Sequence, residues 1–385
     1  MRILHIILSR GFAGSERATA EICNAHCGAH EVALILKRGH VGAGNVTIRQ
    51  WVDARVRVFE VGNWLPRAGI ERALEEFRPD VIHAHLRKST RMLARIRPAA
   101  PTVATLHLSV NGPHFAAMDG IICIARWQTR DIPADYAGRI FHINESLIPH
   151  RRLAAEEIAR LRAELGVQPG EYLVGGVGRL AHSKGFDVLI EAFRRASLPH
   201  ARLVILGEGR ERWRLERMIG SITSAAGPAI AGSRPAIAGG GPVVSLPGFR
   251  TDVKDCYQAF DLFVSPSRSE PLGRVLFEAL DAGAPVVAAA TLGPSEILEQ
   301  YPGDLFPIGD VDALAALLQR HQAQRTPHAR HNLSPYHIDN VARETEAAYR
   351  ELSERKRAAG THTGAQNVRA PGQDGTAVRE SGDAR

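Results

Sequence analysis

The first half of the chain alternates short runs of apolar residues with segments whose apolar residues recur at helical spacing. Runs that suit strands covered on both faces occur at Ile3–Leu8, Glu31–Leu36, Asp80–His85, Thr102–His107 and Gly120–Ala125. A helix is predicted from about Glu16, behind the first run, and this alternation is typical of a parallel α/β sheet. We therefore expect residues 1–150 to form a first Rossmann-like domain.

The same pattern starts again in the second half. A charged amphipathic helix over Arg151–Leu165 and a turn-rich stretch separate the halves, so we predict a linker over 151–170. Further strand-like runs occur at Tyr172–Leu180, Arg202–Gly209, Val243–Phe249, Asp261–Val264 and Ala284–Ala290. The sequence thus predicts an α/β protein of two Rossmann-like parallel-sheet domains, the second over 171–335.

One internal segment and the end of the chain depart from this alternation. Residues 221–241 contain the string PAIAG twice, at Pro228–Gly232 and Pro235–Gly239, which is typical of a low-complexity insertion in a surface loop. We assign no function to this insertion. A last helix is predicted over 336–357. Residues 358–385 have almost no large apolar side chains, so we expect a disordered tail there.

Composition narrows the class of protein. The chain has 385 residues, of which 44% are hydrophobic, and this is enough for two cores. Its formal charge of +7 is dispersed, which is mild support for an anionic ligand or an anionic membrane surface. Only 6% of the residues are aromatic and no zinc-finger, RRM or helix-turn-helix pattern occurs, which argues against nucleic acid.

The cysteines and the apolar segments indicate a reducing compartment. Cys23 and Cys27 lie one helical turn apart, but no second pair completes a zinc site, so we expect buried free thiols. The apolar run at the N-terminus is too short for a signal peptide, and no stretch approaches the ~20 apolar residues of a membrane span. We predict a cytoplasmic protein, at most peripheral to the inner face of the cytoplasmic membrane.

The most specific chemical pattern is the string SPSRSEPLGRVLFEALDAG at Ser265–Gly283. It passes from a strand-like run into a helical pattern, so Glu270 lies in a strand-to-helix loop and Glu278 lies about one turn into the helix. Backbone N–H groups near Gly273 and Arg274 are unpaired at the start of such a helix and suit phosphate or sugar oxygens. This arrangement suits a ligand with an anion at the helix start and hydroxyl groups further along, such as a nucleotide sugar.

A second pattern, GVGRLAHSKGFDVLIEAF, overlaps the strand-like run that starts at Tyr172. Gly178 and Gly185 allow tight turns after a strand, and Arg179 and Lys184 can approach a diphosphate from two directions. Expulsion of a nucleoside diphosphate develops negative charge, which two such cations would stabilise. Taken alone, the pattern is better explained as two exposed basic residues at a helix start.

These two strings resemble the E-x7-E signature and the GR…KG motif of the family-4 retaining glycosyltransferases. The resemblance is strong from Tyr172 to Leu298 and weaker in the first half. It implies the GT-B fold, in which two Rossmann-like domains face each other across a cleft and the last helix packs back on the first domain. It also implies transfer of a hexose from a nucleotide sugar to a glycan or glycolipid acceptor with retention of configuration, in lipopolysaccharide or exopolysaccharide assembly.

The resemblance implies a role for each matching residue of the second half. Glu270 would stabilise the transition state beside the hexose, Glu278 would bind two ribose hydroxyl groups, and the cations would bind the diphosphate. The implied donor-binding residues are Gly14, Arg179, Lys184, Gly248, Phe249, Leu272, Gly273, Arg274 and Glu278. No metal or other cofactor is expected, because the cations take its place. The base of the donor is open between UDP, GDP and ADP, with UDP and GDP favoured.

Shorter signatures match in the first half. The loop FAGSERATAEI resembles the family's G-G-x-E-R loop, with Gly14 matching and Ala13 replacing the first glycine, although Ser15 is alternatively a helix N-cap. By the same resemblance His107 lies near the reacting sugar and is a catalytic candidate. His85 is a candidate for the acceptor pocket. His83, in the same predicted strand, is expected to pack inside the domain.

A stripe of basic residues follows the strand-like run that ends at His85. Arg87, Lys88, Arg91 and Arg95 could contact anionic lipid or a phosphorylated glycolipid, although a solvated helix face is the simpler interpretation.

Three alternative functions stay open. The alternatives are a nucleotide-sugar epimerase or phosphorylase of the same fold, a nucleotide-sugar-binding protein without transferase activity, and a membrane-surface interaction protein. Net sugar transfer to an added acceptor, rather than donor isomerisation or phosphorolysis, separates a transferase from an epimerase or phosphorylase. Vesicle binding that survives loss of Glu278 would indicate a membrane-surface interaction protein.

Overall fold

The structure, a computed structural model, describes residues 1–9, 11–39, 47–110, 112–224 and 243–365. Most of the predicted insertion, residues 225–241, and residues 366–385 of the predicted tail lie outside the described residues. Within the described ranges the chain forms two α/β units, each built on a parallel sheet, and a long C-terminal helix. The four cysteines are buried and free, as predicted.

Seven parallel strands form the first sheet in the order β3-β2-β1-β4-β5-β6-β7. The strands are β1 (Arg2–Ile7), β2 (Glu31–Lys37), β3 (Arg57–Val61), β4 (Val81–His85), β5 (Thr102–Leu106), β6 (Gly120–Cys123) and β7 (Arg139–His142). Three helices, α1 (Gly14–His26), α2 (Pro66–Phe77) and α3 (Leu86–Ile96), follow β1, β3 and β4. Strands β1, β4 and β5 are buried almost throughout, as expected for central strands with helices on both faces.

Six parallel strands form the second sheet in the order β10-β9-β8-β11-β12-β13. They are β8 (Tyr172–Val177), β9 (Ala201–Leu206), β10 (Val243–Gly248), β11 (Leu262–Ser265), β12 (Val286–Ala289) and β13 (Asp304–Phe306). The helices are α4 (Ala155–Glu164), α5 (Phe186–Ala196), α6 (Arg212–Ser224), α7 (Val253–Cys256), α8 (Arg274–Ala282), α9 (Leu292–Leu298) and α10 (Val311–Gln324). The predicted fold class, two Rossmann-like parallel-sheet domains, is confirmed.

The strand order reverses once in each sheet, between β1 and β4 in the first and between β8 and β11 in the second. Connections diverge at such a reversal and leave a crevice outside the carboxyl ends of the strands, where α/β proteins bind ligands. At the first reversal, Gly14 follows β1 and His85 ends β4. At the second reversal, Lys184 follows β8 and Glu270 follows β11. The topology alone therefore places these four residues where a ligand is expected.

The C-terminal helix α11 (Ile338–Ala365) differs from the prediction at both ends. It starts after a 3-10 turn at Ser334–Tyr336, and it continues through residues 358–365, which the prediction assigned to a disordered tail. That part of the prediction is wrong. The string RKRAA at 355–359 consists of strong helix formers, so the helix continues beyond the last buried apolar residue, Leu352.

The chain passes between the domains twice, and the two passages are hydrogen-bonded to each other. Leu147 N donates to Tyr336 O at 2.7 Å, and Ile338 N donates to Leu147 O at 2.9 Å. Helix α11 then packs on the first domain, where the Tyr349 hydroxyl lies 2.6 Å from His83 Nδ1. The first domain is thus completed by the last helix of the chain.

Candidate active site

The starts of α1 and α8 face each other across the cleft. Helix α1 begins at Gly14 behind Ala13, whose N–H donates to Glu16 Oε2 at 3.0 Å. Ser15 lies inside this helix, so the alternative that Ser15 is its N-cap is wrong. A β-carbon at Gly14 would lie 3.5 Å from Cδ of Arg274, the first residue of α8. The first turns of the two helices are therefore within van der Waals range, and the cleft is closed at this point.

Glu278 lies in the second turn of α8 and is only 4% exposed. The Tyr257 hydroxyl donates to its Oε2 at 3.0 Å, and Nη1 of Arg17, from the first domain, lies 3.1 Å from its Oε1. Burial favours the neutral acid, but the positive charges of Arg17, Arg274 and Lys254 outweigh burial and lower the pKa of Glu278. The side chain is therefore an ionised, oriented acceptor of hydrogen bonds.

Arg274 crosses the cleft in the opposite direction. Its Nη2 lies 2.8 Å from Glu21 Oε2 and its Nη1 lies 3.4 Å from Glu145 Oε1. Burial favours the neutral guanidine, but the two carboxylates outweigh it and raise the pKa of Arg274. Glu21 also pairs with Arg17 at 3.0 Å, so each domain donates an arginine to buried carboxylates of the other. The side chain of Arg274 thus binds carboxylates of the first domain and links the two domains.

Glu270 pairs with Lys184 on the second-domain side of the cleft. The Lys184 ammonium contacts Glu270 Oε2, and the Ser267 hydroxyl lies 3.4 Å from the same oxygen. Gly185 has φ = 66°, and a β-carbon there would lie 2.0 Å from Pro266 O. Only glycine fits this close approach. The loop that carries Lys184 is therefore packed directly against the loop that carries Glu270.

The remaining predicted donor-binding residues lie along the carboxyl edge of the second sheet. Arg179, after β8, is exposed and makes no side-chain hydrogen bond or ion pair within the described ranges. Gly248 ends β10 with φ = 98°, and the next residue, Phe249, is 44% exposed. Gly273 turns the chain into α8 with φ = 96°. Leu272 is buried in the core, so only its backbone can face a ligand.

Three histidines lie within or just after the neighbouring strands β4 and β5 of the first sheet. His107, just after β5, has Nδ1 at 3.5 Å from Glu145 Oε2 and Nε2 at 3.2 Å from His85 Nδ1. His85 is buried, and its Nε2 lies 3.0 Å from His5 Nδ1. His83 is buried between two hydroxyl groups, at 2.6 and 2.7 Å from its ring nitrogens. Both ring nitrogens of His85 thus have partners inside the domain, and its side chain lines the same small cavity as His107 and Glu145.

Three imidazoles are close enough together to be considered as a metal site. Ring nitrogens of His5, His83 and His85 lie within 4.8 Å of one another, a spacing found for no other such group in the described part of the chain. Burial lowers the pKa of all three, so each is neutral, which is the form that binds metals. However, both nitrogens of His83 and His85 already take part in hydrogen bonds, which a metal ion would have to displace.

Several residues of the site escaped the sequence reasoning. Arg17 and Glu21 lie one helical turn apart within the FAGSERATAEI string, so their position beside Gly14 was a usable signal. Glu145 follows the exposed edge strand β7, and Tyr257 lies in a 3-10 turn before β11. Neither belongs to a local pattern, because each reaches the site only through tertiary packing.

The assembled site can bind an anion and hydroxyl groups at the same time. Lys184, paired with Glu270, and the exposed Arg179 after β8 supply positive charge at the carboxyl edge of the second sheet. Glu270, before α8, and Glu278, within it, supply carboxylate oxygens. The helix start itself adds unpaired backbone N–H groups. A ligand with a phosphate group next to a polyhydroxylated ring matches this order of charges.

Comparisons with known proteins agree with this chemistry. Residues 171–323 match the family model described as "Glycosyl transferases group 1". The lipopolysaccharide core biosynthesis glycosyltransferase LpsD of Rhizobium meliloti (strain 1021) is 26% identical over 326 residues, which cover 83% of this chain and 88% of that protein. A D-inositol 3-phosphate glycosyltransferase of Mycobacterium sp. (strain KMS) is 29% identical over 280 residues, or 63% of this chain and 60% of that protein.

Solved structures share the architecture. A crystal structure of Anabaena Alr3699/HepE in complex with UDP covers 94% of this chain and all of its own, with a TM-score of 0.68 and 22% identity. A glycosyltransferase from Rickettsia africae ESF-5 covers 91% of this chain and 98% of its own, with a TM-score of 0.72 and 15% identity. The fold is GT-B. The domain match, the relatives and the fold together support a GT-B glycosyltransferase.

Proposed function

We propose that this GT-B chain is a family-4 retaining glycosyltransferase that moves a hexose from a nucleotide sugar to a glycan or glycolipid acceptor. The observation that carries the proposal is the pair of glutamates beside the start of α8. Glu270 forms an ion pair with Lys184, and Glu278 is buried and ionised. Both lie inside the region that matches the glycosyltransferase family model. They would be the two acids of the E-x7-E signature.

The second domain would bind the donor. Arg179, Lys184 and the N–H groups at the start of α8 would bind the diphosphate. The Lys184 ammonium has three N–H groups, so it can keep Glu270 and still donate to a phosphate oxygen. Glu278 would accept hydrogen bonds from two ribose hydroxyl groups, with Tyr257 and Arg17 fixing its orientation.

The reaction would depend on electrostatic stabilisation rather than on a protein nucleophile. Glu270 would lie beside the hexose and stabilise the positive charge that develops on its ring as the bond to the diphosphate breaks. The acceptor hydroxyl would attack on the face that the diphosphate leaves and pass its proton to a phosphate oxygen. Arg179 and Lys184 would neutralise the charge on the leaving group, so a metal ion is not required.

The comparisons favour a particular donor and acceptor class. Anabaena structures of the same fold are described in complex with UDP and with UDP-glucose, and the relatives from Rhizobium meliloti are described as lipopolysaccharide core glycosyltransferases. We therefore propose a UDP-sugar donor and an acceptor of the lipopolysaccharide type, in the cytoplasm at the inner face of the membrane. No described helix combines the length and hydropathy of a membrane span.

Helix α3 would provide the contact with the membrane surface. Arg87, Lys88, Arg91 and Arg95 are all exposed on it, while Leu93 on the opposite side is buried. Exposed lysines and arginines are attracted to anionic lipid head groups. Co-sedimentation with vesicles that contain phosphatidylglycerol, compared with phosphatidylcholine alone, tests this contact. Equal binding to both, or equal binding after Arg87 and Arg91 are changed to Gln, would rule out α3 as the contact.

Calorimetric titration with UDP-, GDP- and ADP-sugars tests the donor site. One nucleotide class should bind, and Glu278→Ala should weaken its binding by about 10- to 100-fold, the loss of one or two hydrogen bonds to a charged group. The exposed Glu344→Ala on α11 is the matched control and should bind as the unchanged protein does. No binding by folded protein would refute the donor site. Binding without net transfer to an added acceptor would favour an epimerase or a non-catalytic binding protein.

A further inference from the structure

A row of imidazoles runs from the cleft into the interior of the first domain. It starts at Glu145, whose Oε2 lies 3.5 Å from His107 Nδ1. His107 Nε2 lies 3.2 Å from His85 Nδ1, and His85 Nε2 lies 3.0 Å from His5 Nδ1. At the far end, His5 Nε2 is buried and has no hydrogen-bond partner among the residues that the structure describes. Each link joins Nδ1 of one ring to Nε2 of the next, so we call these three rings the histidine row.

The positions in the sheet explain the row. His5 and His83 are direct partners in the pairing of β1 with β4, and His85 follows His83 by two residues, on the same face of β4. His107 lies just past the end of β5, the strand that pairs with β4 on its other side. The row therefore follows the strand reversal of the first sheet, and its outer end lines a small cavity with Glu145 and Ser146.

The surroundings of the two ends of the row determine which ring nitrogen of each histidine carries the proton, and both ends indicate Nδ1. The ionised Glu145 only accepts, since the contacts with His107 and Arg274 outweigh the effect of burial and lower its pKa, so the proton of His107 lies on Nδ1. His107 Nε2 then accepts from Nδ1–H of His85, and His85 Nε2 accepts from Nδ1–H of His5. The reverse order would bury an unpaired N–H on His5 Nε2, and for an uncharged His107 it would also set a lone pair against Glu145.

We propose that His5 and His85 are positioning residues that hold the His107 ring toward Glu145, with a proton on Nδ1 and with Nε2 accepting from His85. Glu145 in turn contacts Arg274 at the start of α8, so the row joins the interior of the first domain to the donor side of the cleft. With both nitrogens occupied, His107 orients groups at the cleft and does not carry protons. An effect of the row on the rate of sugar transfer rests on the proposed function, whereas the positions of the ring protons do not depend on it.

Substitution of His5 tests the row at the end that is farthest from the cleft. His5→Phe keeps a ring of similar size and removes the donor to His85, whereas His5→Asn keeps an N–H donor close to the position of Nδ1. His26→Phe is the matched control: His26 is similarly buried and its ring stacks on His5, but its Nε2 bonds to Ala342 O and not to the row.

The measurement is the long-range proton–nitrogen NMR spectrum of the full chain with 15N-labelled histidine. We expect His5, His85 and His107 as Nδ1–H tautomers in the unchanged protein and in His26→Phe, and His85 and His107 as Nδ1–H tautomers in His5→Asn. In His5→Phe we expect a mixture of tautomers at His85, whereas Glu145 keeps the proton of His107 on Nδ1. Nε2–H tautomers in the unchanged protein would overturn the proposal. The proposal would also be overturned if the protein contained one equivalent of a divalent metal and if its removal by a chelator shifted the 15N resonances of His5 and His85.

Kinetics supplies the second readout. His5→Phe should lower kcat about tenfold, the expected cost of a slightly misplaced group at the reaction centre, with KM for the donor unchanged. His5→Asn should restore most of the rate, because a structural defect alone would not be repaired by a smaller polar side chain. Equal kcat in His5→Phe and the unchanged protein would overturn the positioning role. An inactive unchanged protein that shows the expected spectrum would refute the proposed function and leave the tautomers established.

Discussion

Buried histidines on the first sheet must remain uncharged for the domain to stay folded. Burial lowers the pKa of His5, His83 and His85 well below the usual 6.5, and the neighbouring imidazoles lower it further. In the unfolded chain the same side chains titrate near about 6.5. Between these values the unfolded state binds protons that the folded state does not, so acid favours unfolding.

The stability of the protein should therefore fall steeply just below pH 6.5. Each of the three histidines can contribute about 1.4 kcal/mol per pH unit, or about 4 kcal/mol per unit together, in the free energy of unfolding. Urea unfolding at pH 7.5, 6.5 and 5.5 measures this slope. His83→Asn should reduce it by about a third, whereas the exposed His182→Asn should not change it. Equal stability at the three pH values would show that these imidazoles are solvated.

At the same scale, the sequence predicted the residues of the site that belong to one continuous string. Glu270 and Glu278 stand in a strand–loop–helix string whose spacing fixes their relative positions, and Lys184 in a second one. The partners Arg17 and Glu145 come from the other domain, and no local pattern reports which carboxylate an arginine will meet. The part of the site that was missed is therefore the part made by tertiary contact.

Among the elements, all the central strands were predicted from the sequence, whereas of the four edge strands only β10 was. Strands β3, β7 and β13 were not predicted, and each lies at the edge of its sheet. Their residues are largely exposed or half-buried, with no buried residue in β7, so they lack the apolar runs of strands covered on both faces. Edge strands owe their conformation to the neighbour they pair with, which a single sequence does not show.

The loop between β8 and α5 depends on one glycine. Gly185→Ala should destabilise the protein by about 2–4 kcal/mol, because the left-handed conformation is strained for alanine and the new methyl group meets Pro266 O. Gly170→Ala is the matched control, since Gly170 has φ = 81° but no atom near its missing β-carbon, and it should cost only about 1 kcal/mol.

Urea unfolding of the two variants gives this difference directly, and titration with the donor adds a second readout. Donor binding should weaken in Gly185→Ala, because Lys184 is its neighbour, and stay unchanged in Gly170→Ala. Equal losses of stability in the two variants would show that the loop yields to the methyl group and that its close packing against Pro266 is not required.

On the scale of the whole molecule, each domain contributes an arginine that pairs with a buried glutamate of the other domain. Arg17 of the first domain pairs with Glu278 of the second, and Arg274 of the second pairs with Glu21 of the first. Removal of one partner of a buried pair leaves an uncompensated charge, at a typical cost of about 3–5 kcal/mol. The sequence predicted two domains from the repeat of the α/β pattern, but their mutual placement depends on these contacts, which are distant along the chain.

The last helix should be indispensable to the first domain. A chain that ends at residue 337 lacks α11 and exposes the face that includes His83 and its hydrogen bond to Tyr349. We expect it to be insoluble or to lose the cooperative thermal transition of the first domain. A chain that ends at residue 365 keeps the whole of α11 and should unfold at the temperature of the unchanged protein. Circular dichroism during heating compares the two, and a stable shorter chain would show that α11 is dispensable.

The pairing of Leu147 with the segment before α11 has a consequence for synthesis on the ribosome. The strands of the first domain emerge early, but the helix that covers one face of their sheet is translated about two hundred residues later. At 5–20 residues per second, this interval lasts roughly 10–40 s. During that time the nascent domain carries an uncovered apolar surface, so a chaperone that binds emerging chains would meet it there, before the second domain is complete.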